Sequence, residues 1–331
     1  MKNSWLHRFA FFTSCLTFPL IFVGGLVKSH EAGLSVPDWP TTYGFNMFSF
    51  PIHWMVGNIF YEHGHRLYAS LVGFCILVLA ILIWRIEDRK WVKRLGWWAL
   101  VAVSVQGILG GVTVKTFLPW YVSTAHAALA QITFCLTVAL SMVTSNRWND
   151  NEQKTQSEFS DKLRSLTQLT VAAIFIQLLF GAIMRHLGAG LAIPTWPLAN
   201  GGLVPDFTSV GVVLNFIHRN WAYLVAILIF MTAYYALKST AEFPQLKRPA
   251  ISGIVLVIFQ ITLGAVTILS EKEPNWTSLH VVGGAAVLAS QFILAVRVRH
   301  FTKPSSAVSV TQSDTERVVS RTISEAHIVT D

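Results

Sequence analysis

Four of the eleven histidines stand where residue type and spacing could do chemistry: His65, His126, His218 and His280. They form two pairs of nearly equal separation, each member at the start of an apolar stretch. Two imidazoles presented at one depth by helices running the same way can bind one iron from opposite sides, with a macrocycle standing between them. A single histidine near a membrane surface is explained as well by a hydrogen bond to a loop carbonyl, but two pairs in matched places favour ligation. Zinc is a weaker competitor, because neither half clusters three or four Cys, His and carboxylate ligands at helical spacing. Arg66 and Arg219 directly follow two of the histidines. A guanidinium group there can pair bidentately with a haem propionate, or reach out to lipid headgroups. Glu62 precedes His65 by one helical turn on the same face, where the other half carries Asn215. A carboxylate at one site and an amide at the other lets the first do chemistry while the second handles electrons. The plainer role for Glu62 is an exposed acid at a helix start, favoured by the dipole. His63 projects from a different face and is the poorer ligand.

Such residues need helices to hold them, and the composition says in what solvent. The 331 residues are 53% hydrophobic and 13% charged with a mean hydropathy of +0.51, whereas soluble domains carry about 25% charged residues. A spanning helix needs about 20 mostly apolar residues, since backbone polar groups in hydrocarbon must be satisfied within the segment. Eight segments qualify, near 9–27, 67–84, 96–114, 122–143, 166–184, 221–237, 250–269 and 279–296. The chain is therefore expected to be an all-α integral membrane protein of eight transmembrane helices. The first segment follows Lys2 and Arg8 like a secretory signal, but no A-x-A cleavage pattern comes after it, so it is taken as a retained span.

Lys28, Arg66, Lys115, Arg185, Arg219 and Lys272 fall on one side of these spans, and the other Lys and Arg residues fall on the opposite side or in the tail. The positive-inside rule then places both termini in the cytoplasm. It also accounts for the net charge of +8 without a nucleic-acid partner. Cys15, Cys75 and Cys135 all lie in apolar segments, where cysteine packs as a small hydrophobe, and no disulfide framework or CxxC site is present.

The sequence repeats itself. VGGLVKSHEAGLSVPDWP from Val23 aligns with FGAIMRHLGAGLAIPTWP from Phe180, His65-Arg66 with His218-Arg219, QGILGGVTV from Gln106 with QITLGAVTI from Gln260, and His126 with His280. The register changes mainly in the first outer loop, where added length costs little. Because each unit has an even number of spans, the units enter the membrane the same way, as two parallel tandem four-helix bundles. The expected division is residues 1–150, residues 151–302, and a disordered cytoplasmic tail over 303–331. The loops 29–51 and 186–205 carry PDWP and PTWP. Their Trp residues suit either a cover over an apolar ligand or the interfacial aromatic belt. Gly110, Gly111, Gly264, Gly283 and Gly284 suggest close helix approach or room for a flat ligand.

Taken together, GLSVPDWP, the EHGHR stretch at Glu62 to Arg66, QGILGGVTV, His126 in STAHAALAQ and their second-half counterparts resemble the haem A synthase family over residues 9–300. The resemblance implies oxidation of a ring methyl of haem O to a formyl group, giving haem A for terminal oxidases. It implies that His218 and His280 ligate a resident haem b, that His65 and His126 face the substrate haem, and that Glu62 is catalytic. Implied partners are haem O, an electron donor or acceptor not identified by sequence, haem O synthase and the lipid of the inner cell membrane. Some bacterial relatives carry a cysteine pair in the first outer loop; this chain has none there, so no mechanism through such a pair applies. The chemistry expected is successive hydroxylation, with the geminal diol losing water and Glu62 assisting proton movement or stabilising positive charge. The rival is a di-haem electron carrier like membrane cytochromes b, which bis-histidine pairs serve equally well. A transporter is disfavoured, because the spans hold few ionisable residues apart from the histidine sites.

Overall fold

The computed structural model describes residues 4–149 and 160–301. Over them the long apolar runs become eight helices: α1 Ser4–Ser29, α2 Asn58–Ile86, α3 Lys90–Lys115, α4 Trp120–Val143, α5 Ser160–His186, α6 Val210–Lys238, α7 Lys247–Leu269 and α8 Pro274–Phe301. All eight are long and apolar enough to cross a membrane, so the chain is a multi-pass membrane protein. The remaining backbone pairing outside helices includes two isolated bridges in the loops. The expected tail over 303–331 and the expected division at residue 150 lie outside the described residues.

The helices are longer than the hydropathy windows, and the difference matters at two places. α2 begins at Asn58 and α6 at Val210, two to three turns before the expected 67 and 221. The added turns carry Tyr61, Glu62, His63 and Arg66, or Asn215, Arg219 and Asn220, whose polarity hides them from a window average. Their side chains find partners in the loops above, except Asn220, which donates to Phe216 O of its own helix at 2.8 Å. The four histidines consequently sit about two turns inside α2, α4, α6 and α8, and not in the first turns as expected.

Within the first half α1 packs on α2 and α4, and α3 on α2 and α4; α5 to α8 pack in the same cyclic order. The halves meet where α1 and α4 lie against α8, and α4 against α5. Lipid gives no hydrophobic drive between helices, so small residues and polar contacts do this work. Gly25 of α1 faces Ser278 of α8, the Ser29 and Ser278 hydroxyls are 3.1 Å apart, and Phe134 and Val138 pack with the buried Ala285 and Ala289. Cys75 and Cys135 lie in or beside the packed interior, while Cys15 is exposed.

The repeat extends to individual contacts. Tyr68 Oη donates to Leu16 O at 2.8 Å in the first half, and Trp221 Nε1 donates to Ala173 O at 2.9 Å at the matching place in the second. α1 also holds Pro19, which gives the ladder no N–H of its own. In both halves the loop after the first helix makes a two-residue turn with positive φ at both central residues, Tyr43-Gly44 and Asn200-Gly201. That is the type I′ geometry, closed by paired bonds between Thr42 and Phe45 and between Ala199 and Gly202. The first loop is longer only after this turn, where Met47–Ser49 and Ile52–Trp54 form 3-10 turns.

Candidate functional site

Each of the four histidines is seated by a glycine on the helix that precedes its own. A Cβ added at Gly24 would lie 3.1 Å from His65 Cε1, at Gly110 3.1 Å from His126 Cε1, at Gly181 2.9 Å from His218 Cε1 and at Gly264 3.0 Å from His280 Cε1. A Cβ at these places would press on the imidazole edge, most of all at Gly181, so glycine gives the ring its room. In all four rings Nδ1 is buried and has no hydrogen-bond partner. A buried polar atom left unpaired costs about 1–3 kcal/mol, so four matched instances mark sites whose partner is not another protein group.

In the second half the His218 and His280 ring centres are 6.4 Å apart, with planes at 76°. Two imidazoles on opposite sides of one metal, each bonded through nitrogen at about 2 Å, put their ring centres about 6 Å apart.

Glu62 is 3% exposed, which replaces the exposed helix-start acid considered from sequence. Its Oε1 accepts from Arg66 Nη2 at 2.6 Å and its Oε2 from Val36 N at 2.8 Å. Asn215, also buried, donates through Nδ2 to Ala189 O at 3.1 Å and Gly190 O at 2.9 Å. The carboxylate therefore receives the loop through its amides, while the amide holds the loop through its carbonyls. His63 faces away from the pair and hydrogen-bonds with Thr42 Oγ1 through Nδ1 at 3.0 Å.

Arg66 and Arg219, expected at propionates, make matched contacts with the loops. Arg66 Nη1 donates to Asp38 O at 2.7 Å and Nη2 to Val36 O at 2.8 Å; Arg219 Nη1 donates to Thr195 O at 2.7 Å and Nη2 to Ile193 O at 2.6 Å. Both guanidinium groups thus clasp the PDWP or PTWP loop to the helix that carries His65 or His218. Arg219 Nε is buried without a partner. Asp38 completes the first loop by accepting from Tyr43 N at 2.7 Å, Gly44 N at 2.9 Å and Thr41 Oγ1 at 2.5 Å. Partial burial by itself raises the Asp38 carboxyl, but these donors outweigh it and hold the group at about 2, below its ordinary 3.8. Trp39 lies with its indole against Gly111 of α3. Of the other glycines singled out from sequence, Gly283 receives the Gln260 side chain and Gly284 the Leu178 side chain.

The sequence reading missed the seats at Gly24 and Gly181, and with them three glutamines. Gln106 Nε2 donates to His126 O at 3.0 Å, Gln177 Nε2 to His218 O at 2.9 Å and Gln260 Nε2 to His280 O at 2.8 Å. A signal was present: QGILG, QLLFG and QITLG occur in three odd-numbered helices, always with glutamine four residues before the seating glycine.

A model of the COX15-CtaA family, described as cytochrome oxidase assembly protein, matches residues 7–292. The chain is 25% identical over 319 residues to a protein named heme A synthase from Pelagibacter ubique, covering 83% of this chain and 91% of that one. A protein of the same name from Staphylococcus saprophyticus is 28% identical over 285 residues, with 85% and 91% covered. One from Bartonella bacilliformis is 25% identical over 339 residues, with 90% and 91% covered.

Proposed function

The chain belongs to the COX15-CtaA family of cytochrome oxidase assembly proteins, and on that footing we propose that it is a haem A synthase, an oxidoreductase that converts a methyl group of haem O to a formyl group. The observation that carries this reading is the pair of duplicated histidine sites with unlike neighbours, Glu62 beside one and Asn215 beside the other. His218 and His280 hold a resident haem b; their 6.4 Å ring separation and unpaired buried nitrogens fit that group. Bound there, the haem supplies one-electron redox chemistry. His65 and His126 present the substrate haem O in the first half, with the methyl to be oxidised held in a fixed place.

The chain's own residues bind, orient and hold charge. Glycine seats fix each imidazole edge against the preceding helix. Glu62 keeps a carboxylate one turn from His65, tied to Arg66 and the Val36 amide, where it stabilises positive charge developing on the substrate. Arg66 and Arg219 hold the loops over the sites, and Arg219 keeps a buried Nε without a partner for a propionate. The protein resides in the inner cell membrane with both termini in the cytoplasm and its histidine sites toward the outer face, as the distribution of Lys and Arg supports. Partners are haem O, an electron donor or acceptor, and haem O synthase.

Membranes expressing the chain with a source of haem O test this by extraction and mass analysis of haem. Haem A or a hydroxylated precursor is expected with wild type, and neither with His65→Ala, His280→Ala or Glu62→Gln. Haem A formation at the wild-type level in Glu62→Gln would remove Glu62 from the chemistry. Recovery of unmodified haem alone from an assembled, reducible wild-type protein supplied with haem O would make the di-haem electron carrier the better reading.

A further inference from the structure

The glutamines differ among the four histidine seats in a way that the duplication makes legible. Gln106, Gln177 and Gln260 each stand four residues before a seating glycine, on the helix preceding the ligand histidine. Each donates to the main-chain carbonyl of that histidine, and Gln106 Nε2 and Gln177 Nε2 also lie 3.3 and 3.5 Å from the imidazole Nε2. Each keeps a buried Oε1 with no partner. The fourth place, four residues before Gly24 and equivalent to Gln177, is occupied by Leu20, which packs against the first-half core.

We propose that the three glutamines are positioning residues for His126, His218 and His280, and that Leu20 leaves His65 as the axial ligand that yields, so that the first half exchanges its haem while the second retains it. The inference rests on the haem-binding reading above and adds which ligand lets go. A glutamine amide ties the carrying helix to its neighbour at the depth of the ligand. At His126 and His218 it also places Nε2 beside the ring, which restricts ring rotation. Leucine offers contact without direction. Removing such an outer partner of a metal-bound histidine typically weakens binding about 10–100-fold. The first site would then be held firmly from His126, supported by Gln106, and loosely from His65. That suits a site which must accept one haem and release another. The second site has a glutamine behind both ligands.

Haem transfer from the purified, haem-loaded protein to excess apomyoglobin measures this directly. Two phases of loss are expected, the fast one absent from His65→Ala. Leu20→Gln should slow the fast phase about tenfold, and Gln260→Met should speed the slow phase about tenfold. Gln177→Met gives a second reading of the slow phase if either of the other variants fails to assemble. Loss rates unaffected by the glutamine variants, or a fast phase unaltered in an assembled Leu20→Gln protein, would overturn the proposal while leaving haem binding in place. A wild-type protein that carries no haem would overturn the haem reading, and this inference with it.

Discussion

Two carboxylates organise the first outer loop, and they do so with different chemistry. Asp38 is partly exposed and is held at about 2 by donors from Gly44, Thr41 and Tyr43. A group whose folded pKa lies below its free value stabilises the fold above the free value and stops doing so as pH falls through the folded one. The turn at Tyr43-Gly44 should therefore be fully ordered above about pH 4 and loosen as pH falls toward about 2, a dependence that Asp38→Asn removes. Amide protection at Tyr43 and Gly44, followed by hydrogen exchange across that range, reads it; protection in wild type that is unchanged down to pH 2 would sink the claim. Glu62 works in the membrane-spanning helix instead, paired with Arg66 at side-chain exposures of 4% and 10%. Removing one partner of such an enclosed pair leaves an uncompensated charge and costs about 3–5 kcal/mol. Glu62→Gln is thus expected to loosen the loop over 29–51, apart from the loss of haem A formation that the proposed role of Glu62 entails, and limited proteolysis separates the two effects.

Each of the four matched histidines is placed by two helices, the one that carries it and the one whose glycine receives it. The tightest seat is Gly181, where an added Cβ would come within 2.9 Å of His218 Cε1. Gly181→Ala must push the imidazole aside or part α5 from α6, and overpacking of this kind costs about 1–3 kcal/mol. Haem content and the optical spectrum of the purified variant are expected to change with assembly preserved, since Trp221 still bonds Ala173 between the same two helices. A normal spectrum at full haem content would show that the seat is not needed. Half of this arrangement was legible beforehand, because Gly110 and Gly264 lie in the repeated QGILGG and QITLGA runs. Gly24 and Gly181 also match each other in the repeat but were not singled out, because a glycine in an apolar span reads equally as packing until the facing side chain is known.

The two halves are joined across α1, α4, α5 and α8, and one cation stands in that seam. Arg185 of α5 donates through Nη2 to Gly25 O at 2.7 Å and to Ser29 Oγ at 2.8 Å of α1, and its Nη1 is buried without a partner. Hydrogen bonds from a charged donor contribute about 1.5–3 kcal/mol each. Arg185→Met is expected to lower the melting temperature of the detergent-solubilised protein while leaving each helix bundle intact by circular dichroism; an unchanged melting curve would show that the apolar seam suffices. At the opposite end of the molecule the Trp148 and His300 rings stack with centres 3.7 Å apart, and His300 Nε2 lies 3.1 Å from Trp148 O. The interface between the halves is thus fastened at both ends of the bundle.

The sequence by itself determined the solvent, the eight spans, the duplication and the four histidines, because hydropathy and repeated spacing are properties of the chain order. It also singled out Glu62 by contrast with Asn215. It did not reveal that Glu62 is enclosed and paired, that Arg66 and Arg219 hold the loops through main-chain carbonyls, or that α2 and α6 start well before their apolar cores. Those facts depend on which loop atoms come within about 3 Å of which side chain. Contacts between residues far apart in order are decided only when the helices pack, and Gln177 gains its meaning only once it is seen bonded to the His218 carbonyl.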